Sequence, residues 1–150
     1  MRVAIGSDHA GFALKGDLCT LLDELRTEYR DFGTFSTDPV DYPDIVAAVA
    51  RAVARGDYQL GIVLGGSGTG EAIVANKVRG IRCVEAADPV TARLGREHND
   101  ANVLSMGGRI IGSEVARACV REFLAGEFQG GRHIPRIEKI ARIEAEESGR

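Results

Sequence analysis

At 150 residues, 44% hydrophobic and 27% charged, the chain has the balance of one globular domain, large enough to bury a core without disulfide or metal staples. A formal net charge of -3 at pH 7 argues against a nucleic-acid or membrane role, so an anionic ligand would have to be met by a local cluster of Arg and His. No run approaches the roughly 20 apolar residues of a membrane span. The opening MRVAIGSDHAG turns polar too soon for a signal peptide, and Cys19, Cys83 and Cys119 lie in apolar stretches without metal or CxxC spacing. A cytoplasmic protein with three small buried thiols is expected.

Short β-like runs alternate with helical patterns along the chain. Residues 2–6 read as a buried strand ending in the polar SDHAG. Residues 10–25 have helical spacing, with Leu14, Leu18, Leu21, Leu22 and Leu25 on one face. Residues 29–33 form a weaker strand, and a polar loop runs over 34–42. Pro43 opens the next helix and Gly56 follows its last turn. Residues 60–64 are a short apolar strand that runs into GGSGTG. A helix over 71–78, a strand over 81–86, a helix over 89–98, a strand over 103–106 and a helix over 113–124 follow. Residues 135–147 form a charged amphipathic helix.

This alternation predicts an α/β fold: a doubly wound, Rossmann-like sheet of five parallel strands with helices on both faces. The chain reads as a single domain over 1–150, with residues from about 131 to 150 as a C-terminal arm. That arm either packs on another subunit or is a solvated helix. Ligands of such sheets bind beyond the carboxyl ends of the strands. That rule selects residues 7–9, residues 65–70, the loop after Ala86, and residues 107–109.

Four segments carry chemistry. In GIVLGGSGTGE, residues 61–71, a strand enters a glycine-rich turn and then a helix, so backbone N–H groups can converge on an anion or an oxyanion. It is neither a Walker motif nor GxGxxG. It follows the third predicted strand and not the first, which argues against a nucleotide binder. The same residues also fit a plain tight turn, with Ser67 as a helix cap and Glu71 as a first-turn acid favoured by the helix dipole. In SDHAG, Asp8 and His9 can bind hydroxyls or phosphate, or can be a cap and a turn histidine. In REHNDAN, His98 and Asn99 end a helix, where a histidine can move protons or satisfy the helix terminus. In GGRHIPR, Arg132 and Arg136 are four apart and would share a helix face able to fork onto one phosphate. Pro135 makes a continuous helix through both less certain. His133 reads as structural or exposed.

Together SDHAG, DYP, GGSGTGEAIVANK, REHNDAN, GGR and GGRHIPR resemble the ribose-5-phosphate isomerase B family, which also includes galactose- and allose-6-phosphate isomerases. The resemblance spans nearly the whole chain, in order. It implies an aldose–ketose isomerase that interconverts ribose 5-phosphate and ribulose 5-phosphate through a cis-enediolate, without metal or cofactor. By resemblance, Asp8, His9 and Tyr42 contact substrate. The turn Gly66, Ser67, Gly68, Thr69 and Gly70 stabilises the enediolate. His98 protonates the ring oxygen, Asn99 assists, and Arg132 and Arg136 hold the phosphate with Arg109 nearby. Many family members carry a catalytic cysteine where Gly65 stands here. A second branch uses a glutamate that Glu71 matches, so Glu71 is the expected base. The resemblance also implies a homodimer or homotetramer with shared active sites. The alternatives are an isomerase of a tetrose 4-phosphate or of allose or galactose 6-phosphate, and a non-catalytic sugar-phosphate-binding regulator.

Overall fold

The computed structural model describes residues 1–149. Five strands, β1 (Arg2–Ser7), β2 (Glu28–Asp31), β3 (Leu60–Gly65), β4 (Cys83–Glu85) and β5 (Val103–Gly107), alternate with α1 (Phe12–Glu24), α2 (Tyr42–Ala54), α3 (Thr69–Ala75), α4 (Pro89–Asn99) and α5 (Ser113–Ala125). A 3₁₀ turn, Gly131–His133, leads directly into α6 (Ile134–Glu147). The strands form one parallel sheet in the order β2-β1-β3-β5-β4. This is the expected doubly wound α/β architecture.

Central strands are mostly apolar and almost wholly buried because both sheet faces are covered. Leu14, Leu18, Leu21 and Leu22 of α1 join Ala92 of α4 and Ala116, Cys119, Val120 and Phe123 of α5 on one face. Val46, Val49, Ala50 and Val53 of α2 and Ala75 of α3 cover the other. The connection from β1 to β2 through α1 and the connection from β2 to β3 through α2 therefore run on opposite faces. The gap between the carboxyl ends of β1 and β3 is the switch point of the sheet, where such folds open a ligand crevice.

Several boundaries differ from the sequence reading for local reasons. Strand β2 stops at Asp31 because the Asp31 carboxylate takes the Gly33 N–H at 2.8 Å and Gly33 turns through a φ of 97°. Helix α3 starts at Thr69, earlier than expected, because left-handed Gly68 (φ 88°) turns the chain and its carbonyl accepts the Ala72 N–H at 3.0 Å. It ends at Ala75 because Asn76 bridges to Cys83 through both its amide oxygen and its amide nitrogen. Pro135 does not break α6, since it occupies the first turn, where its missing N–H costs nothing. Of the three thiols, only Cys119 is fully buried; Cys19 and Cys83 are half-buried, and all three are free. Among the described residues, no helix is long and apolar enough to cross a membrane. Helix α6 is tied to the body where its Glu144 carboxylate accepts the Gly80 N–H at 3.0 and 3.1 Å, yet it has no buried residue and leaves Ile134, Ile140 and Ile143 exposed.

The approach of α1 to β3 depends on Gly11, where an added Cβ would come within 2.7 Å of the Leu64 carbonyl group. That carbonyl also accepts the Asp8 N–H, so it cannot move away freely. Gly11→Ala should therefore lower the unfolding free energy by about 1–3 kcal/mol, the usual cost of overpacking, read as a lower urea midpoint at unchanged slope.

Candidate active site

At the switch point, Asp8, His9, Tyr42, Gly66, Ser67, Gly70, Glu71 and Arg109 line a cleft of about 510 Å³, with Ala10 and Ile110 completing its wall. The strand ends supply Asp8, His9 and the glycine-rich turn. Tyr42 comes from the start of α2, and Arg109 from the turn after β5. A larger groove, about 780 Å³, runs between α6 and β4, but none of the cleft's acids or histidines reaches it.

The glycine-rich turn is tied down through its carbonyls. Gly65 accepts from the Gly108 N–H at 2.8 Å, Gly66 from the Arg109 N–H at 3.0 Å, and Gly68 from the buried Ser105 hydroxyl at 2.6 Å. In a trans peptide the following N–H points opposite to the carbonyl. The N–H groups of Gly66 and Ser67 are thereby aimed away from β5, on the side where these residues wall the cleft. This is the arrangement an oxyanion needs. Ser67 Oγ accepts the Thr69 N–H at 3.2 Å, so its hydroxyl also stabilises the turn. Thr69 turns outward and donates to Glu85 at 2.9 Å, and it does not line the cleft.

Glycine identity in the turn makes room for side chains. A Cβ on Gly70 would lie 2.7 Å from the Tyr42 ring and hydroxyl, so Tyr42 rests on the turn. A Cβ on Gly65 would overlap the Glu71 carboxylate itself. Glu71, in the first turn of α3, is only 3% exposed, so it is not an ordinary solvated helix-start acid. Burial pushes its pKa up, and the negative charges of Asp8 and Glu85 add to this; its own N–H and that of Gly68 oppose the rise. Asp8 uses Oδ1 to accept the N–H groups of Ala10 and Gly11 at 2.9 and 3.0 Å, closing the turn ahead of α1 without capping the helix itself. Burial pushes the thiols of all three cysteines up, to about 12 for Cys83 and about 11 for Cys119, so none supplies a thiolate at neutral pH.

The remaining predicted residues lie elsewhere. Helix α4 returns antiparallel to the strands and delivers His98 and Asn99 to the end of the sheet where the strands begin. There the guanidinium of Arg82, just before β4, donates to the Asn99 carbonyl at 2.9 Å. His133 stacks on His98 with ring centroids 4.3 Å apart and planes 16° apart. Its pKa is held below the ordinary histidine value by burial first, then by the charges of His98, Arg132 and Arg136. Both arginines are exposed, in the 3₁₀ turn and the first turn of α6. These groups thus lie at opposite ends of one sheet: Glu71 beside the glycine-rich turn, and the His98–His133 stack with Arg132 and Arg136 next to it. Sequence reasoning missed the stacking, since ring contact between distant segments has no local pattern. Ala10 and Ile110 were equally invisible. Among the described residues, no group of His, Cys, Asp and Glu is arranged to hold a metal ion.

Fold and cleft together define a small-molecule enzyme of the doubly wound α/β class. Residues 3–140 match the model of the ribose/galactose isomerase family. The chain is 44% identical to ribose-5-phosphate isomerase B of Escherichia coli K12, over 95% of this chain and 96% of that one. It is 38% identical to D-erythrulose-4-phosphate isomerase of Pectobacterium atrosepticum, over 98% and 97% respectively. The structure of ribose-5-phosphate isomerase B from Clostridium thermocellum matches with a TM-score of 0.96 at 46% identity, covering 97% of this chain and 99% of that one. The chain belongs to the ribose/galactose isomerase family and is an isomerase.

Burial of Glu71 has a consequence for stability. With its pKa raised above the ordinary 4.5, the folded state still holds the proton at pH values where the unfolded chain has lost it. Stability therefore falls as pH rises from 4.5 through the folded pKa, and the carboxylate costs most above that window. Glu71→Gln should be more stable than wild type to urea at pH 7, and the gap should close as the pH is lowered toward 4.5.

Proposed function

We propose that the protein interconverts ribose 5-phosphate and ribulose 5-phosphate through a cis-enediolate, with Glu71 as the base that moves the proton between C2 and C1. One observation carries this: the Glu71 carboxylate fills the volume that a side chain at residue 65 would occupy. Residue 65 is where many family members keep their catalytic cysteine. The carboxylate thus reaches the same point in space from the next helix, beside N–H groups suited to the enediolate oxygen. A non-catalytic regulator would have no use for a desolvated acid there, since burying it destabilises the fold.

In this scheme the opened sugar lies over the turn formed by Gly66, Ser67, Gly68, Thr69 and Gly70. Asp8, His9 and Tyr42 contact its hydroxyls, and Glu71 abstracts the C2 proton of the aldehyde form. The electron pair passes to the carbonyl oxygen O1 to give the enediolate; the O2 hydroxyl proton then moves to O1, the C2–O2 bond becomes the carbonyl, and the proton held by Glu71 returns at C1 to give the ketose. His98 delivers a proton to the ring oxygen during ring opening, with Asn99 beside it. Arg132 and Arg136 hold the phosphate, with Arg109 at the rim of the cleft. His98 and the two arginines cannot meet Glu71 within one chain, because they lie at the other end of the sheet. A complete site therefore takes Glu71 from one subunit and His98, Arg132 and Arg136 from its partner, in a cytoplasmic homodimer or a tetramer of such dimers. The exposed isoleucines of α6 and the lack of any buried residue in that helix support pairing. The tetrose phosphate named for the Pectobacterium relative supports a second reading, an isomerase for another chain length, and a panel of four-, five- and six-carbon aldose phosphates separates the two.

Glu71→Gln keeps the shape but cannot take the proton. Its kcat should fall by about 10²–10⁴, the range for loss of a general base, with little change in substrate binding, and solvent deuterium exchange into the sugar should collapse in parallel. Subunit sharing has its own test. Glu71→Gln and Arg136→Ala subunits, each inactive or weak alone, are mixed after unfolding and refolded together. About a quarter of the sites should then be intact in a random mixture of dimers, restoring activity that neither parent has. Recovery no greater than the sum of the parents would put the complete site within one chain.

A further inference from the structure

Lys15 of α1 is a charged side chain only 2% exposed, and the isomerisation scheme makes no use of it. A buried ammonium is tolerated only where other groups replace its water. Its Nζ donates to Asp31 Oδ1 at 2.7 Å and to the Thr34 carbonyl at 2.5 Å, and it faces the rings of Phe35 at 5.0 Å and Phe12 at 5.7 Å. Most of these partners converge on the root of the loop over residues 33–41. The same root is tied to β1, where the Ser7 N–H donates to the Gly33 carbonyl at 2.7 Å and the Thr34 N–H to the Ser7 carbonyl at 2.6 Å.

From that anchored root the loop runs exposed over residues 35–39 and returns to the cleft. There the Val40 N–H donates to Nδ1 of His9 at 3.2 Å. A backbone N–H can only donate, so Nδ1 is the nitrogen with the free lone pair. The ring proton then sits on Nε2, the remaining polar atom of a histidine that lines the cleft. The other tautomer would set two N–H groups against each other and leave a lone pair facing an anionic substrate.

We propose that Lys15 is a positioning residue. By clamping the root of the loop it holds the Val40 N–H against His9, fixes the Nε2–H tautomer, and makes His9 a hydrogen-bond donor to a substrate oxygen, a role that rests on the isomerase reading of the cleft. Within the cleft the labour is then divided: Glu71 accepts the proton, and His9 only donates a hydrogen bond. Lys15 touches neither substrate nor reacting atoms, so its effect must be legible in the state of His9.

The test reads the tautomer by long-range ¹⁵N–¹H correlation on labelled protein without substrate. His9 is assigned by the signals lost in His9→Gln. Two variants break the relay at different points. Lys15→Met with Asp31→Asn removes the clamp without stranding a charge, and the asparagine can still accept the Gly33 N–H; Lys15→Met alone is a second route to the clampless protein. Val40→Pro deletes the donor itself. Wild type should carry the His9 proton on Nε2. The variants should unfold cooperatively yet give averaged signals of both tautomers, and kcat/KM should fall about tenfold, the worth of one hydrogen bond. A wild-type proton on Nδ1, or a clampless variant that keeps the wild-type His9 signature, would overturn the proposal. Because the spectra need no substrate, they stand apart from the choice of sugar phosphate, whose failure would appear as a wild-type protein inactive on ribose 5-phosphate.

Discussion

All five strands point the same way, and most of what this protein does follows from that constraint. A parallel sheet sends every strand-to-helix turn to one end and every helix-to-strand turn to the other. Asp8, the glycine-rich turn and Glu71 follow strands, so they gather at the first end. His98 and Asn99 finish a helix, so they lie at the second, and the stacking of His133 on His98 draws Arg132 and Arg136 there as well. An acid–base site that needs both groups cannot close on itself. The separation of these groups is a consequence of strand direction.

At the first end, missing side chains determine the chemistry. Gly65 leaves space that the Glu71 carboxylate occupies, and Gly70 leaves space for Tyr42. Gly68 has a left-handed backbone and closely approaches the backbone of Met106, while its carbonyl is held by Ser105. The result is an acid whose water has been replaced by strand ends and whose pKa is raised by that replacement. A more basic carboxylate is a better acceptor for a carbon-bound proton, and the cost is borne by the stability of the fold.

Much of the site was legible in the sequence because its parts are turns. Glycine runs, an Asp-His pair after a strand and an Arg-x-x-x-Arg spacing are local signals, and strand alternation places them by rule. The local alternatives held in part. Asp8 accepts the Ala10 and Gly11 N–H groups in the turn ahead of α1, although it does not cap the helix, and Ser67 braces its own turn. The Thr69 hydroxyl donates to Glu85, a contact between distant segments with no local signal. The first turn of α3 splays it outward, and residue type alone cannot report that direction.

The sequence alone determined the architecture, the glycine-rich turn and the identity of nearly every chemical group, because periodicity and turn residues act over a few neighbours. Only the tertiary structure decided which groups meet. The filling of the residue 65 position by Glu71, the stack of His133 on His98 and the burial of Lys15 against Asp31 and Thr34 each join segments brought together by sheet order. Such contacts depend on the shape of the space between elements, and that shape exists only once the whole sheet has formed.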